Sequence, residues 1–475
     1  MQSLAEVADL LSTLKRNIHE VTLPSEELFE VDLLLDNLQL YAKRVKGIPF
    51  NDEDYNIRPH PLFDGMVETP RERMYNSLLR RLKVILRFNI TSYEKVTRDL
   101  LRGLVSDEVD RITGREIRLL TLLYQRPNTP QVQMAKELNI SLPTMRKDIR
   151  ALEEKFGLRF ANLIDWGRFK LRHFAVFFVT SNVHASRRLQ DIFNKEMSTY
   201  LTTAVFDTTF RRGFAGFRLP DQGKPIQLFQ EQLEFLKEHL IEAYQIHDNK
   251  QYFQSICFDH FDYETSTWLI EGDVSSLGLL NFVRENWAIL PKPRGLSNTI
   301  ARSFDQLDYY LASFLVGDGH APMKKLQDRL NNIGIEAPRT TVSTRKNRLL
   351  KERTMEPYFW FDTPQLPFFI SFAIKCEPYI AEQLVVAVSQ MPLAFATHSN
   401  IGCTVNVSVP ARSLGTILNL LSLTLEDEGV TEVWQMQQFQ NVGSRDPSQI
   451  ASKWNGSYWN WTEEEFEIPS LGLEY

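Results

Sequence analysis

The sequence predicts an α+β protein in which a helical N-terminal region precedes two copies of one unit, three helices followed by βαββαβ. Three observations lead to this prediction. Apolar residues recur at helical spacing through residues 1–108. Two later runs, HFAVFFVT at His173–Thr180 and FFISFAIK at Phe368–Lys375, have the composition of buried strands. Each run follows three short helical patterns and precedes a similar order of elements, which indicates an internal repeat.

We divide the chain into seven parts on these patterns. The parts are a helical N-terminal region (1–108), a first winged helix-turn-helix (109–170), a first ferredoxin-like domain (171–262), a connector (263–302), a second winged helix-turn-helix (303–362), a second ferredoxin-like domain (363–445) and an aromatic and acidic tail (446–475). The fold class is therefore α+β with a tandem duplication.

Charge is distributed unevenly along a chain of net charge −6. Residues 111–172 hold thirteen Lys and Arg against six Asp and Glu, and residues 323–354 hold nine against three. Both basic segments coincide with the predicted helix-turn-helix regions. The sequence therefore excludes a uniformly basic protein and predicts two local basic surfaces.

The N-terminal region is expected to consist of leucine-rich helices. One follows Ser3 over Leu4–Arg16, a second runs from Ser25 to about Lys46, a third carries Met74 to Leu86, and a fourth starts near Ser92. Residues 47–66 contain five Pro or Gly residues and predict a polar loop. We expect this region to act in oligomerisation or to cap the domain that follows.

The first basic segment ends in a sharply defined helix. Ser141 is placed to cap it, Pro143 suits its first turn, and Met145, Ile149 and Leu152 form one apolar stripe. A turn at Asn139–Ile140 separates this helix from a shorter one before it. This is the pattern of a helix-turn-helix recognition helix, and Leu158–Asp165 is expected to form the wing as a hairpin. The residues predicted to contact DNA here are Ser141, Thr144, Arg146, Lys147 and Arg150.

The second copy repeats this pattern at Ala337–Leu350. Its Thr341–Val342 and Leu349 align with Thr144–Met145 and Leu152, and no acidic residue interrupts the helix before Glu352. We therefore expect a second and more basic recognition helix, in which Lys346 takes the place of the buried Ile149. The residues predicted to contact DNA here are Arg339, Thr340, Thr341, Ser343, Thr344, Arg345 and Arg348.

The β-rich stretches each predict strand, helix, two strands, helix and strand. In the first, the elements after His173–Thr180 are Ser186–Met197, Tyr200–Asp207, Gly213–Leu219, Ile226–Ala243 and Gln251–Phe258. In the second, the elements after Phe368–Lys375 are Ile380–Gln390, Leu393–Ser399, Cys403–Val409, Leu414–Leu425 and Val430–Phe439. The clustered tryptophans of the tail are expected to pack on the protein.

A winged helix-turn-helix followed by βαββαβ resembles the Lrp/AsnC (leucine-responsive, feast/famine) family of transcription regulators. The resemblance depends on Gly114–Leu120, Met134–Ser141, Thr144–Glu153 and Ile164–Asp165. It implies a cytoplasmic regulator without enzymatic activity that binds double-stranded DNA and forms oligomers through its sheet domains or N-terminal helices. It also implies a small-molecule effector, although the acidic residue of the family's effector loop is missing from Thr208–Gly213 and Ser399–Gly402.

Other functions stay open as alternatives. One is a regulator or scaffold of the same fold that does not bind DNA. Another is a tetrapyrrole enzyme of the siroheme decarboxylase type, for which His173, Arg172, Arg211 and Arg212 are candidate pocket residues. The cluster of Cys257, Asp259, His260 and Asp262 has poor geometry for a metal on one strand, so we expect no metal and no cofactor. No run is apolar enough to span a membrane, and the start resembles no secretory signal.

Overall fold

The structure is a computed structural model of the 475-residue chain. It describes residues 4–20, 25–45, 79, 82–83, 85–87, 96, 112–127, 129–195, 197, 199–207, 211–258, 261–262, 267–268, 280–281, 283–288, 290, 294–297, 304–361, 368–391, 393–409, 429–444 and 446–468. It divides into one unit of Met1–Arg111 with Phe439–Asn441 and a second of Ile112–Gln438 with Val442–Tyr475. The second unit is mixed α+β and contains a large antiparallel sheet.

The first unit contains helices α1 (Leu4–His19) and α2 (Ser25–Val45). Leu14, Ile18, Leu34 and Leu38 are fully buried between them because the apolar residues recur at helical spacing. Both helices agree closely with the predicted bounds. The predicted loop at 47–66 and the fourth helix lie outside the described residues, as does most of the third.

Two groups of three helices open the two halves of the second unit. The first group is α3 (Gly114–Gln125), α4 (Gln131–Glu137) and α5 (Leu142–Phe156). The second is α8 (Gln306–Val316), α9 (Met323–Asn332) and α10 (Arg339–Lys351). Capping boxes at Thr113 and Asp305 start the first helix of each group.

The predicted hairpin at Leu158–Asp165 is wrong. These residues contain the single strand β1 (Arg159–Ile164), which pairs antiparallel with β9 (Met355–Trp360) from the second half of the chain. The segment has no Gly, Pro or Asn-Gly at its centre, so nothing favours a tight turn there. The two halves are therefore joined through a shared ribbon.

The first half of the sheet consists of β2 (Leu171–Thr180), α6 (Val183–Lys195), β3 (Leu201–Asp207), β4 (Arg212–Pro220), α7 (Gly223–His239) and β5 (Ile241–Ser255). Its strand order is β3-β4-β2-β5. Helix α7 ends earlier than predicted, and β5 begins immediately after it rather than at Gln251. Since β5 is long, its first part pairs with β2 and its second part with another strand.

The second half consists of β10 (Phe368–Cys376), α11 (Pro378–Val388), β11 (Leu393–Ser399), β12 (Gly402–Val409) and β13 (Val430–Ser444). Its order, β11-β12-β10-β13, corresponds strand for strand to that of the first half. The predicted helix Leu414–Leu425 lies outside the described residues. After β5, the described residues contain the short strands β6 (Phe261–Asp262), β7 (Thr267–Trp268) and β8 (Arg294–Ser297), of which β8 pairs with β5.

The two halves close into a barrel. Strand β13 is the neighbour of β3 at one junction, and β5 pairs antiparallel with β11 at the other. Helix-facing residues such as Phe178 and Leu189 on one side and Phe372 and Leu384 on the other form two outer cores. The opposite faces of the strands point into the barrel because side chains alternate along a strand.

The aromatic tail packs against the second unit, as predicted. Trp454 Nε1 donates to the Phe304 carbonyl at 2.9 Å, and Trp459 Nε1 donates to the Phe169 carbonyl at 2.7 Å. Both indoles are almost fully buried. Each hydrogen bond satisfies a donor that burial would otherwise leave unpaired. The tail therefore covers the short 3₁₀ helix Trp166–Phe169 that precedes the barrel.

Candidate active site in the barrel interior

Part of the barrel interior is apolar. Ala175, Phe177, Val205, Ala373 and Met436 form one buried cluster contributed by both halves. The Phe177 and Phe214 rings are stacked with centroids 5.5 Å apart. Phe177 is buried, whereas Phe214 is partly exposed, so the Phe214 ring is the part of this cluster that an apolar group could contact.

His173 lies on the same interior face. Its Nδ1 is 2.9 Å from Asn249 Nδ2, and its ring centroid is 5.5 Å from that of Tyr252. Burial, together with the nearby Arg218 charge, lowers the pKa of His173 to about 3. His173 nevertheless keeps accessible surface. A side chain that is enclosed by protein and still accessible lines an internal space.

Arg218 places a charged side chain on the same interior face. It pairs in register with His173, and its guanidinium stacks on Trp166 at 4.4 Å. Nε is buried without a hydrogen-bond partner, and no carboxylate among the described residues pairs with the guanidinium. Burial lowers the pKa of Arg218, although Tyr309, Tyr252 and Tyr358 oppose this effect. Arg218 keeps some accessible surface, and an arginine largely enclosed by protein without a counter-ion is costly unless a ligand supplies the missing anion.

Two further polar side chains on β5 face the interior without full satisfaction. Gln245 is 6% exposed, and neither its Oε1 nor its Nε2 has a partner within the described structure. His247 is fully buried; its Nδ1 contacts Ser399 Oγ at 2.8 Å, but its Nε2 has no partner there. Burial, followed by the Lys375 charge, lowers the pKa of His247 to about 4. Buried polar groups are nearly always hydrogen-bonded, so these atoms are available to a polar group that enters the interior.

Gly216 leaves room beside His173. A Cβ at this position would lie 2.5 Å from Thr202 Oγ1 and 3.1 Å from His173 Nε2. Any side chain at position 216 would therefore occupy the space that His173 Nε2 faces.

The structure brings only one of the four predicted pocket residues together with this site. His173 faces the interior, whereas Arg172 lies on the other face of β2 and pairs with Asp248. Arg211 pairs with Glu242 at 3.0 Å, and Arg212 donates to the Gln435 carbonyl at 3.3 Å. Sequence reasoning missed Arg218, although one signal was present: Arg218 is a charged residue on a buried strand, alternating with Phe217 and Leu219.

The first predicted recognition helix, α5, has an open basic surface. Ser141 Oγ accepts the Thr144 amide at 3.2 Å and caps the helix. Met145, Ile149 and Leu152 are buried, so Arg146, Lys147 and Arg150 are exposed on the other side and Thr144 is partly exposed. None of these three cations is ion-paired within the described residues. Their geometry is compatible with contacts to phosphates and bases.

On the second predicted recognition helix, α10, Arg345 and Arg348 form ion pairs with acidic residues of the same chain. Arg345 pairs with Asp305 and Asp308 at 2.8 Å each, and Arg348 lies 3.5 Å from Asp308 and 3.3 Å from Glu352. Burial, with the neighbouring Asp305, raises the pKa of Asp308 to about 6, an effect that Arg345 opposes. Both acids lie at the start of α8, Asp305 as its N-cap and Asp308 in its first turn. The sequence of α10 alone therefore gives no sign of these ion pairs.

The other α10 residues predicted to contact DNA differ in how exposed they are. Arg339, Thr340 and Thr344 are exposed, whereas Thr341 and Ser343 are partly buried. Val342 and Leu349 are buried as aligned, and Lys346 is half-buried with Nζ 3.5 Å from the Gly319 carbonyl. Lys346, which aligns with the buried Ile149 of α5, therefore lies at the edge of the helix packing rather than inside it.

No group of three potential metal ligands occurs among the described residues. Asp259 and His260 of the Cys257 cluster lie outside them. Within the same residues, no helix is long and apolar enough to cross a membrane.

Comparison with known proteins gives similarity in fold alone. No protein-family model matches the chain, and no curated protein matches it. Crystal structures of the siroheme decarboxylase NirDL, without and with an iron-uroporphyrin III analogue, match with TM-scores of 0.40 and 0.41 at 9% and 8% identity. These matches cover 73% and 74% of this chain and 95% and 96% of those chains. A crystal structure of PH0061 matches 29% of this chain and 92% of its own, with a TM-score of 0.23 and 12% identity.

Two expectations are corrected by these findings. The assignment to a tandem Lrp/AsnC regulator family is wrong, since neither a family model nor a curated protein supports it and the NirDL structures are of a decarboxylase. The expectation of a protein without enzymatic activity is wrong for the same reason, because those structures are of an enzyme. At these identities the likeness concerns the fold and assigns no substrate.

Proposed function

We propose that the barrel interior is an enzyme active site for a flat ligand that carries a carboxylate. The observation that carries this proposal is Arg218, whose Nε is buried without a hydrogen-bond partner and whose guanidinium pairs with no carboxylate among the described residues. A ligand carboxylate would supply that partner in a two-pronged geometry that arginine favours. The Phe214 ring, which is stacked on Phe177 and partly exposed, offers an apolar surface for the flat part.

His173 is the proton-transferring group of this proposal. In the absence of a ligand, burial and the Arg218 charge hold its imidazole neutral. A bound carboxylate would offset the charge of Arg218 and so raise the pKa of His173, which allows the ring to take up a proton in the complex. The site then holds a carboxylate next to a proton donor.

The reaction class we infer is decarboxylation of an acetate-bearing tetrapyrrole, with siroheme as the first compound to test. The bond between the methylene carbon and the carboxylate breaks, CO₂ leaves, and the electron pair that remains on the carbon takes up one proton. His173 would donate that proton. This step consumes one proton for each CO₂ and needs no oxidant.

A titration and a product assay test this proposal. Siroheme or uroporphyrin III is added to the full chain and followed by absorbance, and the product is examined by mass spectrometry for loss of CO₂. We expect binding by the wild type, weak binding by Arg218→Met, and binding without turnover by His173→Asn. Equal binding by wild type and Arg218→Met would contradict the proposal.

We further propose that the chain is a tandem of two winged helix-turn-helix and ferredoxin-like units, divided as the sequence predicts. The supports are the corresponding strand orders of the two halves and the similar helix groups that precede them.

A second proposed function is binding of double-stranded DNA through α5. Its support is the exposure of Arg146, Lys147 and Arg150 on one side of a capped helix. Of the α10 residues predicted to contact DNA, Arg339, Thr340 and Thr344 are comparably exposed. Fluorescence anisotropy with a labelled duplex tests it. We expect the slope of log K against log salt to fall in magnitude by up to about 2.7 when all three cations of α5 become alanine. An unchanged slope would rule this function out.

A further inference from the structure

A chain of hydrogen bonds reaches His173 from the second half of the barrel. Thr404 Oγ1 and Thr397 Oγ1 are 2.7 Å apart, Thr397 Oγ1 donates to Asn249 Oδ1 at 2.8 Å, and Asn249 Nδ2 is 2.9 Å from His173 Nδ1. Thr397 and Thr404 belong to β11 and β12, whereas Asn249 and His173 belong to β5 and β2. The chain therefore crosses the junction between β5 and β11, which we call the seam.

The direction of each hydrogen bond follows from the donors available. Thr397 has one hydroxyl hydrogen and gives it to Asn249 Oδ1, so Thr404 must donate to Thr397. With its Oδ1 occupied in this way, Asn249 presents its amide hydrogens to His173. Nδ1 of His173 must then accept, and a neutral ring that accepts at Nδ1 carries its hydrogen on Nε2.

The surroundings favour a fixed geometry. Asn249 is 2% exposed and Thr404 is 3% exposed, so little water competes for these groups. Asn249 pairs in register with His173 on one side and with Ser399 on the other, at an irregularity in the β5–β11 pairing. Two strands therefore hold Asn249, and Nε2 of His173 is left to face the space beside Gly216.

We propose that Asn249, oriented by Thr397 and Thr404, is a positioning residue that fixes the tautomer of His173 with Nδ1 as acceptor and Nε2–H facing the barrel interior. This inference rests on the proposed function for its consequence, since it supplies the N–H that would meet a ligand while the ring is neutral. When the ring takes up its second proton at Nδ1 in the complex, the Asn249 amide turns so that its oxygen accepts from Nδ1–H. This arrangement makes the active site dependent on both halves of the barrel, because the histidine comes from the first and the hydroxyls from the second.

The tautomer can be measured without any ligand. In the ¹⁵N-histidine-labelled full chain, long-range nitrogen–carbon correlations identify which nitrogen of each ring carries hydrogen, and the His173 signals are assigned by their loss in His173→Gln. We expect the Nε2–H form in the wild type. In Asn249→Asp the new carboxylate accepts from Nδ1, so the hydrogen moves to Nδ1 and the pKa of His173 rises by about 1–3.

A second variant and a matched control complete the test. Thr397→Val removes the donor that orients Asn249 without adding charge, and we expect it to give a mixture of both tautomers. Gln251→Ala removes a similar seam contact, 3.1 Å between Gln251 Oε1 and His398 Nδ1, on the opposite face of the same strands. It should leave His173 unchanged.

Two outcomes would overturn the inference: an Nδ1–H tautomer in the wild type, or an unchanged His173 tautomer in both Asn249→Asp and Thr397→Val. The proposed function fails separately, by absence of ligand binding in a wild type whose His173 tautomer is as expected.

Discussion

The two halves of the barrel have the same strand order but different interiors. The strand pairing is irregular between Val179 and Thr180 in the first half and between Lys375 and Cys376 in the second, which aligns the two registers. With this alignment, the first-half residues His173, Gly216, Arg218 and His247 correspond to Phe369, Asn406, Ser408 and Met436. The histidines and the unpaired arginine thus lie in one half only.

This difference could not arise in a symmetric barrel built from two identical chains. In a symmetric barrel each inward arginine would face a second copy of itself, and two unpaired guanidinium groups in one enclosed space would repel each other. Here the second half supplies hydroxyl and apolar groups instead. Thr397 and Thr404 orient the site, and Ala373 and Met436 line it. We therefore expect one ligand for each chain.

The largest effect on ligand binding is expected from substitution of Arg218, in contrast to its counterpart Ser408. Arg218→Met should weaken binding of a carboxylated tetrapyrrole by about 10- to 100-fold, since it removes a charged hydrogen-bonding partner. It should also raise the melting temperature of the ligand-free protein, because a buried unpaired charge is removed. Ser408→Ala serves as the control. A lower melting temperature for Arg218→Met would show that the guanidinium is satisfied in the empty site.

Substitution at Gly216 probes the space beside His173. Gly216→Ala places a Cβ 3.1 Å from His173 Nε2 and 2.5 Å from Thr202 Oγ1, so we expect weaker binding and a destabilised fold. Gly223→Ala is a matched control, because nothing lies within 4 Å of a Cβ there. The measurements are ligand titration and thermal unfolding. Unchanged binding by Gly216→Ala would place the ligand elsewhere.

The enclosed histidines of the first half, His173 and His247, predict that the folded protein loses stability in acid. Burial lowers the pKa of His173 to about 3 and that of His247 to about 4. Below their unfolded-state pKa of about 6.5, the unfolded chain binds protons that the folded one does not, so stability falls between pH 6.5 and 4 by up to about 1.4 kcal/mol per pH unit for each histidine.

His247→Met, which introduces the residue of the second half, should flatten this dependence. Urea unfolding of the wild type and His247→Met at a series of pH values provides the measurement. Equal slopes between pH 6.5 and 4 would mean that His247 is protonated in the folded protein.

The smallest expected effect contrasts the two basic helices. Arg345→Ala leaves Asp308 with less compensation, so it should lower the free energy of unfolding by about 1–3 kcal/mol. Arg146→Ala removes an exposed cation and should change it by less than about 0.5 kcal/mol. Chemical unfolding compares the two variants. Equal losses would contradict the assignment of Arg345 to an internal ion pair.

The sequence predicts local structure well where periodicity and caps are strong. Ser141 and Gly157 bound α5, and the apolar stripe of Met145, Ile149 and Leu152 is buried. Local patterns do not encode which distant strand a strand pairs with. For this reason the β1–β9 ribbon was predicted as a hairpin, and the barrel closed by β5 and β11 was not predicted at all.

The site was only partly predictable for the same reason. His173 was identified as a candidate because it lies at the start of a buried strand. The importance of Arg218 depends on the absence of a carboxylate around it. Arg345 forms ion pairs with acids at the start of another helix, so its charge is not available for contact with DNA. Both are properties of neighbours that only the folded chain brings together.

The most direct test of the account is the stoichiometry and charge dependence of ligand binding. The full chain is titrated with siroheme or uroporphyrin III, and in parallel with the methyl ester of the same ring, for the wild type and for Arg218→Met. We expect one equivalent of the acid to bind to the wild type, and binding to weaken about 10- to 100-fold both on esterification and in Arg218→Met. Two equivalents bound per chain, or equal binding of acid and ester, would contradict it.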